Sequence, residues 1–119
     1  MQNYKELMVW EKSMDLVEEV YRIVSLLPKQ EQFALSDQLR RAVVSVPSNI
    51  AEGYGRYAVR DYIRFLSIAR SSKNEVETQL YICVRLKYIS ENDIEKAFAL
   101  CDEIGRMLNS LINKLNPNP

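Results

Sequence analysis

The chain has 119 residues, the size of a single domain whose core needs no metal or disulfide support. Its 47% apolar and 27% charged residues exclude a disordered chain. Sixteen basic groups balance sixteen acidic ones, and histidine is absent, which argues against indiscriminate nucleic-acid binding and removes the commonest general base and metal ligand.

Residues 1–6 are polar and read as a loose lead-in. Leu7, Trp10, Met14, Val17, Tyr21 and Val24 then step by three or four, one face of an amphipathic helix. Pro28 stops it, because the residue before a proline is pushed out of the helical region. The first helix is therefore expected over 7–27. Val9, Leu16 and Ile23 lie off its stripe, and Phe65 and Ile68 lie off the stripe of the third helix. Apolar bands wider than one core needs predict burial against a second copy.

A second helix is expected over 35–52 on Leu35, Leu39, Val43, Val46 and Ile50. Pro47 interrupts it, leaves the Val43 carbonyl without its donor and predicts a kink. A polar stripe runs beside it: Arg41, Ser45, Ser48, Asn49 and Glu52, read as an internal network holding that kink. Gly53 is placed as its left-handed cap. The third helix, 58–86, carries Tyr62, Leu66, Ala69, Val76, Leu80 and Cys83, with Lys73 breaking the stripe. Lys73 is expected to snorkel outward or to meet Glu77.

Ser90 with Asp93 three residues on reads as a capping box that opens the fourth helix, 91–115. Gly105 inside it costs about 1 kcal/mol against alanine and would allow a close helix contact. Residues 116–119 are expected to be a disordered tail. Four long amphipathic helices with short connections make one all-α domain over 1–119, an antiparallel, up-down-up-down, left-handed four-helix bundle. No apolar run is long enough to cross a membrane and residues 1–20 have no signal-peptide layout, so a cytoplasmic protein is expected.

Charge is unevenly spread. From Leu35 to Lys73 seven Arg/Lys face three acids, so the remainder is acidic. Arg40, Arg56, Arg60 and Arg64, interleaved with Tyr54, Tyr57 and Tyr62, suit phosphate contact and base stacking. Arg40, Arg56, Arg60, Arg64 and Tyr57 are the candidate nucleic-acid-binding residues. An arginine row of this kind also suits a solvated face or ion pairs between subunits. No catalytic residue, metal ligand, cofactor or small-molecule substrate is expected. Glu52, Glu75 and Glu77 are the only carboxylates near polar clusters, and no histidine, phosphate loop or activated thiol accompanies them. Cys83 and Cys101 sit within apolar patterns and read as buried thiols.

QLRRAVVSVPSNIAEGYGR (38–56) followed by FLSIARSSKNEVETQL (65–80) resembles the four-helix bundle proteins named for 23S rRNA intervening sequences. LMVWEKSMDLVEEVYRIVSLLP (7–28) fits the first helix of the same family. The S-[IV]-P-S-N-I-A-E-G core is here Ser45–Gly53. The resemblance implies a left-handed bundle that assembles as a ring, a pentamer. It also implies kinship with the RNA-contacting accessory protein of diversity-generating retroelements. This chain departs from the pattern at Ser71, often glycine, at Lys73, often apolar, and in its neutral charge. The function these features imply is a non-enzymatic homo-oligomeric scaffold associated with RNA or a nucleoprotein. The alternative is a ring that presents a protein-binding surface and contacts no nucleic acid.

Overall fold

The computed structural model describes residues 3–116. Four helices account for most of them: α1 (Met8–Val24), α2 (Leu35–Tyr54), α3 (Val59–Arg85) and α4 (Glu91–Leu115). There is no strand among the described residues. The molecule is 45 Å long and 23 Å across in both other directions. At about 1.5 Å per residue α3 alone spans nearly that length.

Helices adjacent in sequence pack together, α1 also packs on α4, and the α2–α3 interface is the most extensive. Contacting pairs run in opposite numerical order: Ser45 with Ser72 and Gln38 with Gln79 across α2–α3, Lys12 with Glu103 and Arg22 with Asp93 across α1–α4. Direction therefore alternates around the bundle. This is an all-α four-helix bundle.

The core is built from Leu16, Val20 and Ile23 of α1 and Leu39, Val43, Val46 and Ile50 of α2. Leu66, Ala69, Val76 and Leu80 of α3 and Ala97, Ile104 and Leu108 of α4 complete it. On α2 the buried face contains the expected stripe. On α1 it does not. Val9, Leu16 and Ile23 are buried, whereas Met14 and Tyr21 are exposed and Trp10 and Val17 only half-buried. Two apolar stripes lie side by side on α1 at the same helical spacing, and the one read as surplus is the core.

The ends differ from expectation in three places. Residues 4–6 form a 3-10 turn capped by Asn3, whose Oδ1 accepts from the Lys5 amide at 2.9 Å, and the Tyr4 ring meets Trp10 edge-on at 5.4 Å. Residues 3–6 of the lead-in are folded, and 1–2 lie outside the described residues. Gly53 is inside α2 rather than at a left-handed cap, and no glycine among the described residues has positive φ. Asn116 caps α4 through its amide to the Ile112 carbonyl, and 117–119, the rest of the expected tail, lie outside the described residues.

Two local signals act as read. Ser90 and Asp93 cap α4 reciprocally, and Lys73 meets Glu77 at 2.7 Å. The interruption at Lys73 is healed by its neighbour, since buried Ser72 carries the interior face past it. α3 closes with Lys87 at φ 64°, where the Lys87 and Tyr88 amides bond back to Val84 and Cys83. That is a Schellman motif with lysine at the position that favours glycine.

Candidate nucleic-acid interface

Gly53 builds one end of the bundle. A Cβ there would stand 2.8 Å from the Phe65 Cβ and 3.0 Å from Tyr62 Cδ1, so glycine is what lets α2 and α3 close on each other. The turn that follows keeps the chain tight, with the Arg56 amide bonded to the Gly53 carbonyl at 3.0 Å. Tyr54 and Tyr62 pack edge-to-face at 6.1 Å, and burial, then the neighbouring Tyr54, push the Tyr62 hydroxyl above its ordinary pKa.

This closure places Phe65 between two cations. The Arg56 and Arg64 guanidinium carbons lie 4.7 Å and 4.5 Å from its ring centroid. Arg56 has one counter-ion, Glu52 at 3.5 Å. Arg60, on the first turn of α3, has no ion-pair partner among the described residues, and Tyr57 is fully exposed. Three guanidinium groups thus lie on or just before the first two turns of α3, with Asp61 in its first turn and Glu52 as the neighbouring carboxylates.

The other predicted residues separate from this cluster. Arg40 lies fourteen residues before the end of α2, about 21 Å along the helix axis, and donates to the Gln32 carbonyl at 3.2 Å near the opposite end. It does not join the row. Arg41 pairs with Asp37 at 3.0 Å on an exposed turn, and Glu52 belongs to the arginine cluster as counter-ion. Neither belongs to the polar network assigned to them by spacing. That network is Ser45, Asn49 and Ser72: Asn49 Nδ2 donates to the Ser45 carbonyl and hydroxyl at 2.8 Å, and Ser45 shares a 2.8 Å bond with Ser72. Ser48 donates to the Val44 carbonyl at 2.7 Å. These bonds fall one and two residues past the carbonyl freed by Pro47, and α2 runs unbroken through the proline.

Phe65 and Ser72 are the residues the spacing arguments missed. Phe65 counted as a surplus apolar residue, and its place beside Arg64 in sequence was the available signal. Among the described residues no group of three or more His, Cys, Asp or Glu is placed to hold a metal ion, and no helix is long and apolar enough to cross a membrane.

The sequence over residues 5–110 matches the family model described as 23S rRNA-intervening sequence protein. The chain belongs to that family. Its structure is similar to the crystal structure of a protein of unknown function from the S23 ribosomal protein family of Bacteroides thetaiotaomicron VPI-5482. The TM-score is 0.81 at 29% identity, over 88% of this chain and 98% of that one. No curated protein matches the sequence. Membership of the 23S rRNA-intervening sequence family brings a fold with it and no reaction, and the solved relative has no assigned function.

Proposed function

We propose that this protein is a non-enzymatic, homo-oligomeric scaffold that contacts RNA through the end of the bundle at the α2–α3 turn. The arrangement of Arg56 and Arg64 on Phe65 supports this reading. Guanidinium groups stacked on a ring keep their N–H edges free for phosphate oxygens, Arg60 adds a third, and exposed Tyr57 offers a face to an unpaired base. A non-catalytic role is supported by the two thiols, which burial holds protonated, Cys83 up to about 11 and Cys101 up to about 12. Neither is a nucleophile near neutral pH.

The test is binding of a single-stranded RNA across a salt series. Three phosphate contacts predict a log–log slope of about −2. Arg56→Gln/Arg60→Gln/Arg64→Gln should abolish most of the affinity, and Arg40→Gln should leave it intact. Equal loss in both variants, or no binding at low salt, would sink the proposal.

A second reading rests on the groove between α1 and α2, about 350 Å³ and lined chiefly by Trp10, Met14, Val17, Val44, Pro47 and Ala51. Exposed Met14 and Val44 on its walls suit burial against another copy. In that reading the oligomer is a ring whose outer surface binds protein. Met14→Glu/Val44→Glu should then lower the solution mass without unfolding the chain. An unchanged mass, or a monomeric parent protein, would remove the groove as an interface.

A further inference from the structure

Two residues break the rules of their helices, and each explains the other. Lys73 occupies a half-buried position on α3 with its side chain only 12% exposed. Gly105 interrupts the middle of α4. A Cβ on Gly105 would stand 3.1 Å from Lys73 Nζ and 3.3 Å from Cε, so the glycine makes the floor on which the lysine lies. An apolar residue and an alanine would fill the same space with better helix propensity and no buried charge. Departures from local consistency that persist in a well-ordered bundle mark functional positions.

The lysine opens into a cleft of about 390 Å³ between α3 and α4, within the size range of small-molecule sites. Its chemistry is ordered along the groove because the helices are antiparallel. At one end Tyr81 and Phe98 stack at 4.6 Å with a 38° tilt. Next come the carboxylates of Glu77 and Asp102, then Lys73 and the rim residue Arg106. Lys73 uses one N–H for Glu77 Oε1 at 2.7 Å, which leaves two donors. Asp102 and Arg106 pair on the exposed rim. Rings and ammonium are two turns apart, about 12 Å along the helix axis.

We propose that this cleft binds a small zwitterion with an aromatic ring, the chemistry of a free aromatic α-amino acid. The ring stacks on Tyr81 and Phe98, the ammonium meets Glu77 and Asp102, and the carboxylate meets Lys73 and Arg106. Two cations and two carboxylates make the cleft neutral overall. Each base is already paired with a carboxylate, so a lone anion would be opposed by both carboxylates and a lone cation by both bases, whereas a ligand carrying both charges can bridge the pairs without breaking them. The site lies on a different face of the bundle from the arginine cluster and stands independently of RNA binding.

L-phenylalanine titrated into the full chain, followed by NMR at the Tyr81 and Phe98 rings and at the α3–α4 backbone, tests it. Saturable shifts in the millimolar range or tighter are expected. 3-Phenylpropionate, without the ammonium, and phenethylamine, without the carboxylate, should each bind at least about tenfold more weakly. Lys73→Met and Gly105→Ala should both weaken L-phenylalanine by a similar factor. Arg106→Gln, on the exposed rim, should do so with an unchanged circular dichroism spectrum, which keeps the test valid if the interior variants lose stability. No saturation at about 10 mM, equal binding of the two analogues, or full affinity in Arg106→Gln and Lys73→Met would overturn the proposal.

Discussion

Gly105 and Lys73 form a complementary pair: the missing side chain on α4 is the space that the lysine stem occupies on α3. The pair should therefore behave as one unit in stability. Gly105→Ala alone gains helix propensity worth about 1 kcal/mol and loses much of it by crowding the ammonium. In a Lys73→Met background, the flexible thioether yields and the gain should be recovered. Urea unfolding of the two single variants and the double variant should show a coupling of at least about 0.5 kcal/mol. Strict additivity would mean that the two residues do not share the space.

Gly53 gives the opposite sign. An added Cβ there meets the Phe65 Cβ at 2.8 Å and the Tyr62 carbonyl at 3.2 Å, atoms tied to the backbone of α3. Neither can move without moving the helix. Gly53→Ala should cost about 1–3 kcal/mol despite better propensity. It should also weaken RNA binding, because Phe65 holds both Arg56 and Arg64. A neutral or stabilising Gly53→Ala in denaturant titration would show that the crossing is looser than this.

Lys87 sits at φ 64° in the Schellman turn that ends α3. A left-handed lysine costs about 1 kcal/mol that glycine does not. Lys87→Gly should raise the melting temperature, and Lys87→Val, β-branched and least tolerant of that region, should lower it. The two shifts should have opposite signs in the same calorimetric series.

The buried thiols predict an alkaline limit to stability. Burial first, then Glu77, pushes Cys101 up to about 12, with Lys73 opposing; burial and then Glu31 push Cys83 up to about 11. In the unfolded chain each ionises near its ordinary 9.0. Above that value the unfolded chain releases protons that the folded chain keeps. Their contribution is therefore complete below pH 9.0 and is lost as pH rises toward the folded values. The urea midpoint should fall between about pH 9 and pH 11, less steeply in Cys83→Ala/Cys101→Ala. Native protein near neutral pH should resist a thiol reagent that labels both cysteines once unfolded. Prompt labelling of the folded protein would contradict their burial.

What the sequence determined alone was local. Periodic apolar spacing and a scarcity of chain breakers set four helices to within a few residues, because turn geometry depends on neighbours three and four positions away. Ser90 and Asp93 declared the start of α4, and Lys73 with Glu77 declared an ion pair, since each lies within one turn. Tertiary structure decided everything that depends on which face meets which. α1 carries two apolar stripes of equal period, and only packing against α2 and α4 buried Val9, Leu16 and Ile23 in preference to Met14 and Tyr21. Gly53 resembled a cap in one dimension and proved to be a helix crossing in three. Arg40 shared a run of charge with Arg56 yet lies at the other end of the bundle, while Arg56 and Arg64 came together around the Phe65 ring. Spacing along a chain fixes a direction from one helix axis, and a site needs the distance between two.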